Sequence, residues 1–239
     1  VTEEAAAKLH AFLEKARAKH KPAEPVVTPF PGEDPVVVEM VRSFLLWEAG
    51  STFAERALAR IRDHVVDFNE LRVFLPDEIA AMVGDDPRAQ ERAERLRASL
   101  SELYVREHDM RLAHLAEEGK RDVRAYLDTL DGMHPFVAAR VSLLRFGGHA
   151  FPIDARLRDA LARAKVVSAD QPPSEVSGWI ERQVRAGEAL PNYAALETLV
   201  ESQAPKPAAR AAKATTKRAA PRKSADAKSP KPSRRSTEN

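Results

Sequence analysis

Asp154 stands directly before the helical run ARLRDALARAK, and a few residues upstream the chain reads LDGMHP and then RFGGHAFPI. An aspartate at that place can do two things. It can accept hydrogen bonds from the first N–H groups of the helix as an N-cap, and it can hold a negative charge where a positive one develops during bond cleavage. Both uses stay open from the sequence. Leu127 and Leu130 close one helix, Gly132 can take the positive φ of a tight turn, and Pro135 can open the next helix, whose buried face is Val137, Ala138, Val141 and Leu144. That pattern is a helix-hairpin-helix. Its turn, Gly132, Met133 and His134, aims backbone N–H groups and a helix start at one point, which suits a nucleic-acid phosphate and reads no base sequence. An ordinary tight turn between two helices is the plainer alternative.

Other chemistries are excluded by what is missing. The chain has no cysteine, so disulfides, thiolate nucleophiles, Cys-bound zinc and cysteine-held iron–sulfur clusters are ruled out. Its histidines show no HxxxH or HxH spacing, and no metal site or cofactor is expected. No apolar run approaches the ~20 residues of a membrane span, and the N-terminus reads as a charged amphipathic helix, not a signal peptide. A cytoplasmic protein is expected, with no membrane partner.

The elements that would hold these residues are helices. Of 239 residues, 44% are hydrophobic and only 9 are glycine, and no convincing strand or repeat appears, so the fold class is all-α. Residues 1–20 read as an N-terminal helix, and 21–34 as an extended Pro-rich linker. Residues 35–201 form the helical body. It opens on VVVEMVRSFLLWEA, apolar nearly all round as a helix buried on most sides must be. Gly50 ends this helix and Ser51 is placed to cap the next. Residues 85–109 and 155–165 read as helices, as do two further segments, the last beginning at Asn192. Trp47 belongs to the core or to a pocket between lobes.

Residues 202–239 are different in kind: 11 Lys plus Arg against two acids, with no large apolar residue, read as a disordered basic tail. The first 201 residues then hold 27 basic against 34 acidic groups. A flexible cationic arm gains affinity for DNA by displacing condensed counterions, and Lys217, Arg218, Arg222 and Lys223 are its densest cluster. Arg140, Arg145, Arg156 and Arg158 are expected either to touch phosphates near the hairpin or to face solvent. Double-stranded DNA is the expected partner, in the nucleoid; the sequence fixes no oligomeric state.

The stretch from Leu130 to Leu157 resembles the endonuclease III-like superfamily of DNA glycosylases, the helix-hairpin-helix and Gly/Pro/Asp group. Its signature runs Leu-Pro-Gly-Val-Gly-Arg-Lys-Thr-Ala, then an apolar helix ending near Phe-Gly, then Val-Asp-Thr-His. LDGMHPFVA puts Leu130 on the Leu, Gly132 on the first Gly, His134 on the second and Phe136 on the Lys. Phe146 and Gly147 match Phe-Gly, and Asp154 falls on the catalytic Asp. The resemblance implies a two-lobed all-helical fold and a base-excision repair function on a damaged or abasic site, monofunctional if active. With Phe136 in place of the amine nucleophile, Schiff-base lyase chemistry is not implied. His134 and Pro135 depart from the hairpin pattern, and the cluster cysteines are absent. A non-enzymatic DNA-binding protein that keeps the fold is the alternative, and a helical interaction scaffold is a third reading.

Overall fold

A computed structural model describes residues 3–19 and 32–203, and among them every regular element is a helix. The first is α1 (Glu3–Lys19). The body opens with α2 (Pro35–Leu46), α3 (Ser51–His64), α4 (Phe68–Leu71), α5 (Pro76–Val83) and α6 (Ala89–Glu107). After a 3₁₀ turn (Ala113–Glu117) come α7 (Lys120–Asp128), α8 (Pro135–Phe146), α9 (Ala155–Arg163), α10 (Pro173–Gln183) and α11 (Ala186–Gln203).

The all-round apolar helix is central, as its pattern requires. Ten of the twelve residues of α2 are buried, and α3, α6 and α8 pack around it. Asp34 starts it. One carboxylate oxygen accepts from the N–H groups of Val36 (2.7 Å) and Val37 (3.2 Å), and the other from those of Leu112 (3.1 Å) and Ala113 (2.9 Å). At the other end Arg92 of α6 donates to the carbonyls of Phe44 (2.7 Å) and Leu45 (3.4 Å), supplying donors that a helix C-terminus lacks.

Two groups of helices meet at α8. On one side lie α2 to α7; on the other α9 and α11, with α1 packed along α11 and α10 against α9. The N-terminal helix thus belongs to the body, with Leu9, Leu13 and Ala16 buried.

Several local expectations are corrected. Gly50, at φ +114°, is the N-cap of α3, and Ser51 is its first helical residue, turned instead onto the Glu201 carboxylate. The last helix begins at Ala186, not Asn192, and carries Pro191 inside it. It also runs to Gln203, slightly into the segment read as tail. Most of the Pro-rich linker and the rest of the tail, including Lys217, Arg218, Arg222 and Lys223, lie outside the described residues.

Candidate active site

The ends of three helices and one face of a fourth converge on one cavity of about 360 Å³. Trp47 and Glu48 come from the end of α2, His134 and Phe136 from the start of α8, Asp154 from the start of α9, and Ser177 from α10. Chain reversals put these residues there. Beyond α2 the backbone turns through Glu48, which sits at φ +55°, a left-handed conformation costly for a residue with a Cβ. Gly147 (φ +59°) ends α8, and the Gly148 N–H donates to the Ser142 carbonyl (2.9 Å), so the chain returns through buried Phe151 and Ile153 to Asp154.

Asp154 caps α9, as its sequence position allows, and it also lies in the wall of the cavity. It is 1% exposed, and Oδ1 accepts from the Leu157 N–H at 3.0 Å. Oδ2 accepts from the Glu48 N–H (2.9 Å) and from Arg156 Nε (2.8 Å). The strained backbone of Glu48 therefore has a visible use: it turns an N–H onto the carboxylate. Its own side chain pairs with Arg88 (2.7 Å).

Arg156, expected from the sequence either to touch a phosphate or to face solvent, lies inside this network. Besides Asp154 it holds Glu201 through Nη1 (3.0 Å), and Glu201 in turn accepts from the Ser51 N–H and hydroxyl (both 3.0 Å). Burial works against the guanidinium charge, but the Asp154 and Glu201 carboxylates more than offset it and raise its pKa above the ordinary arginine value. Arg156 locks α9 to α3 and α11.

Arg140 is corrected more sharply. It is 2% exposed and faces away from solvent, donating to the Tyr193 hydroxyl (3.0 Å), to the Ser43 hydroxyl (3.0 Å) and to Glu39. Glu39 interrupts the apolar face of α2 and needs a buried cation; Arg140 is that cation. Arg145 lies 3.6 Å from the same carboxylate, and Arg158 pairs with Asp159 (2.8 Å).

The hairpin forms between α7 and α8, and much of its donor capacity is turned on itself. The Met133 N–H donates to the Leu130 carbonyl (3.1 Å) and the Phe136 N–H to His134 Nδ1 (3.2 Å), while Pro135 has no N–H. Gly132 sits at φ +70° against α6, where a Cβ would lie 2.6 Å from the Arg95 carbonyl oxygen and 2.7 Å from Ala98 Cβ. Gly132→Ala therefore adds a left-handed alanine to a backbone clash. A loss of about 2–4 kcal/mol is expected in urea unfolding, against almost none for an exposed substitution.

His134 is a wall of the cavity. Its ring stacks on Trp47 (centroids 3.9 Å apart), and Arg88 and Arg95 lie over the same indole. Burial, reinforced by Arg95, lowers its pKa to about 4, so it is neutral near pH 7, and its accepting Nδ1 assigns the proton to Nε2. A cationic grip on phosphate is thereby removed from the hairpin. Between the unfolded value of 6.5 and the folded value of about 4, the unfolded chain binds the extra proton. Stability contributed by His134 is full above pH 6.5 and drains away as the pH falls toward 4, by up to about 1.4 kcal/mol per unit. His134→Asn keeps an acceptor for the Phe136 N–H and cannot titrate, so its urea midpoint should fall less over that range than the wild type's. Equal slopes would remove His134 as the cause.

Sequence reasoning missed Arg124 and the α10 residues Ser177 and Glu181, which complete the walls. Among the described residues no lysine lines the cavity, and Phe136, on the amine position of the resemblance, is 2% exposed in the core. Among the described residues no group of three or more His, Asp or Glu is placed to hold a metal ion, and no helix is long and apolar enough to cross a membrane.

No protein-family model matches the chain, and no curated protein matches it by sequence. Solved structures do match by shape. A thermostable thymine-DNA glycosylase superposes with a TM-score of 0.56 at 18% identity, covering 81% of this chain and 86% of that one. Endonuclease III in a non-covalent DNA complex gives 0.62 at 11%, covering 80% and 84%. The 8-oxoguanine glycosylase/lyase of Clostridium acetobutylicum gives 0.54 at 14%, covering 83% and 70%. The chain has the helical DNA glycosylase fold. Within this glycosylase fold the hairpin, the capping aspartate and the cavity are contiguous, and the cavity is at the small end of the range for ligand sites.

Proposed function

We propose that the protein binds double-stranded DNA, takes one extruded nucleotide of a damaged site into the cavity and releases its base by hydrolysis, with Asp154 as the catalytic carboxylate. The observation that carries this reading is the placement of a buried, hydrogen-bonded carboxylate in the wall of a nucleotide-sized cavity beside the hairpin. Extruding a nucleotide costs a few kcal/mol, which an aromatic and polar pocket can return. As the glycosidic bond breaks, positive charge grows on the sugar, and a carboxylate fixed in place stabilises it without reorganisation. Among the described residues Oδ1 accepts one hydrogen bond, from the Leu157 N–H, so it retains acceptor capacity. Among the described residues no lysine reaches the lining, and on this reading water, with no amine, attacks the sugar. The body carries net negative charge, and the basic residues 202–239 supply non-specific attraction that keeps it near DNA in the nucleoid.

The test is a panel of duplexes, each with one modified base, incubated with the full chain. The expected result is base release that leaves an alkali-labile site, with no strand cut before alkali and no adduct trapped by borohydride. A trapped adduct would contradict the mechanism, and silence on every duplex would contradict excision. One observation favours a second reading, in which the fold binds DNA without excision: Arg156 places a positive charge 2.8 Å from Asp154 Oδ2, which opposes a cationic transition state. On that reading abasic DNA is bound and no base is ever released.

A further inference from the structure

Beside the cavity runs an open groove of about 520 Å³ at the C-terminal end of α10, walled by His149, Arg182, Gln183 and Arg185. Gly178 and Glu181 line both the cavity and the groove, so the two are immediate neighbours along α10. We infer that this groove carries the phosphodiester backbone of the strand whose nucleotide occupies the cavity, with Arg182 and Arg185 each meeting a phosphate. The inference rests on the proposed reading of the cavity and adds the path of the strand.

Charge distinguishes this groove from the rest of the cavity's surroundings. Arg88 is held by Glu48 and Glu91, Arg95 by Glu91, Arg124 by Asp128, and Arg156 by Asp154 and Glu201; Lys120 donates to the Gly147 carbonyl. Each of these cations is already engaged. Arg182 and Arg185 are exposed, and neither has a carboxylate or carbonyl partner among the described residues. Glu181, the acid of the groove, is turned inward and accepts from the Phe151 N–H (3.0 Å) and the Ser177 hydroxyl (3.4 Å). His149, which also lines the groove, has Nε2 2.9 Å from the Val184 carbonyl. On a body with 27 basic against 34 acidic groups, two adjacent guanidiniums without partners form a local positive site suited to a polyanion.

The test measures binding of the full chain to a duplex carrying an abasic-site analogue over roughly 50 to 200 mM salt. Replacing Arg182 and Arg185 together by Ser should make the slope of log K against log salt shallower by about 1.8, the loss of two phosphate contacts. The control replaces Arg163 and Lys165 by Ser; both are exposed and without side-chain partners among the described residues, and neither lines the groove. Its slope should move by less than half as much. An unchanged slope for the groove pair, or an equal change for the control, overturns the inference while leaving the cavity reading intact. If the unaltered chain fails to prefer the abasic duplex over the intact one, the cavity reading falls and takes the groove with it.

Discussion

Asp154→Asn is expected to lower base release by at least about 10²- to 10³-fold, the range for removing one preorganised electrostatic contact from an active site. The carboxylate charge is the element that matches a cationic sugar, and an amide keeps the shape without the charge. In this protein the substitution also disturbs the ground state. An amide oxygen can still accept from the Leu157 N–H, but its NH₂ then faces two donors, the Glu48 N–H and Arg156 Nε. Arg156 keeps Glu201 and loses its second carboxylate. A destabilisation of about 1–3 kcal/mol should accompany the loss of activity. Unfolding and base release are therefore measured on the same preparation, well below the melting point. Loss of release with a folded chain and retained affinity for an abasic duplex is the expected outcome; unaltered release would remove Asp154 from the chemistry.

Arg140→Ala should be among the most damaging single changes in the body, although the position reads as a surface cation. Removing the guanidinium leaves Glu39, 3% exposed, with Arg145 at 3.6 Å and Arg42 at 3.8 Å as its remaining charged neighbours. It also strips the Tyr193 hydroxyl of its donor. Breaking a buried pair from one side costs about 3–5 kcal/mol, and at about 2–4 °C per kcal/mol the melting temperature should fall by roughly 6 to 20 °C. Replacing both partners, Glu39→Leu with Arg140→Met, should recover part of that loss: it removes the orphaned carboxylate but takes from Arg145 its carboxylate at 3.6 Å. The double variant should bind DNA with an unchanged salt slope, since Arg140 reaches no surface. A single-variant loss under about 1 kcal/mol, below the usual range for a broken buried pair, would show that the network is not what holds α2 to α8.

The contrast between these two residues shows what the sequence could and could not carry. Asp154 was legible because its information is local: an aspartate before a helical run, preceded by Phe-Gly-Gly and an apolar turn, states a cap and a reversal in eight or nine letters. Gly132 was legible for the same reason. Arg140 was not, because its partner Glu39 lies 101 residues away, and an arginine inside an apolar helix looks alike whether it faces water or a buried carboxylate. Arg156 differs less: its place beside Asp154 was visible, but Glu201, the second carboxylate that draws it inward, is 45 residues distant. The left-handed backbone of Glu48 gave no signal, since nothing in Trp-Glu-Ala-Gly announces a positive φ whose N–H is wanted elsewhere. The helix order followed from periodicity and Gly/Pro punctuation, and erred where punctuation misleads. Pro191 reads as a boundary, yet the helix starts earlier and tolerates it, held by the burial of Ala189, Tyr193 and Leu196.

The central claim, that this cavity receives an extruded nucleotide, is tested most directly by binding. A chain ending at Gln203 is titrated into a duplex carrying an abasic-site analogue and, separately, into the same duplex intact, at one salt concentration. Tighter binding to the abasic duplex by about tenfold or more, worth at least about 1.4 kcal/mol, is the expected result. Equal affinity for the two duplexes, or none for either, would contradict it and leave DNA affinity to the basic residues beyond the body.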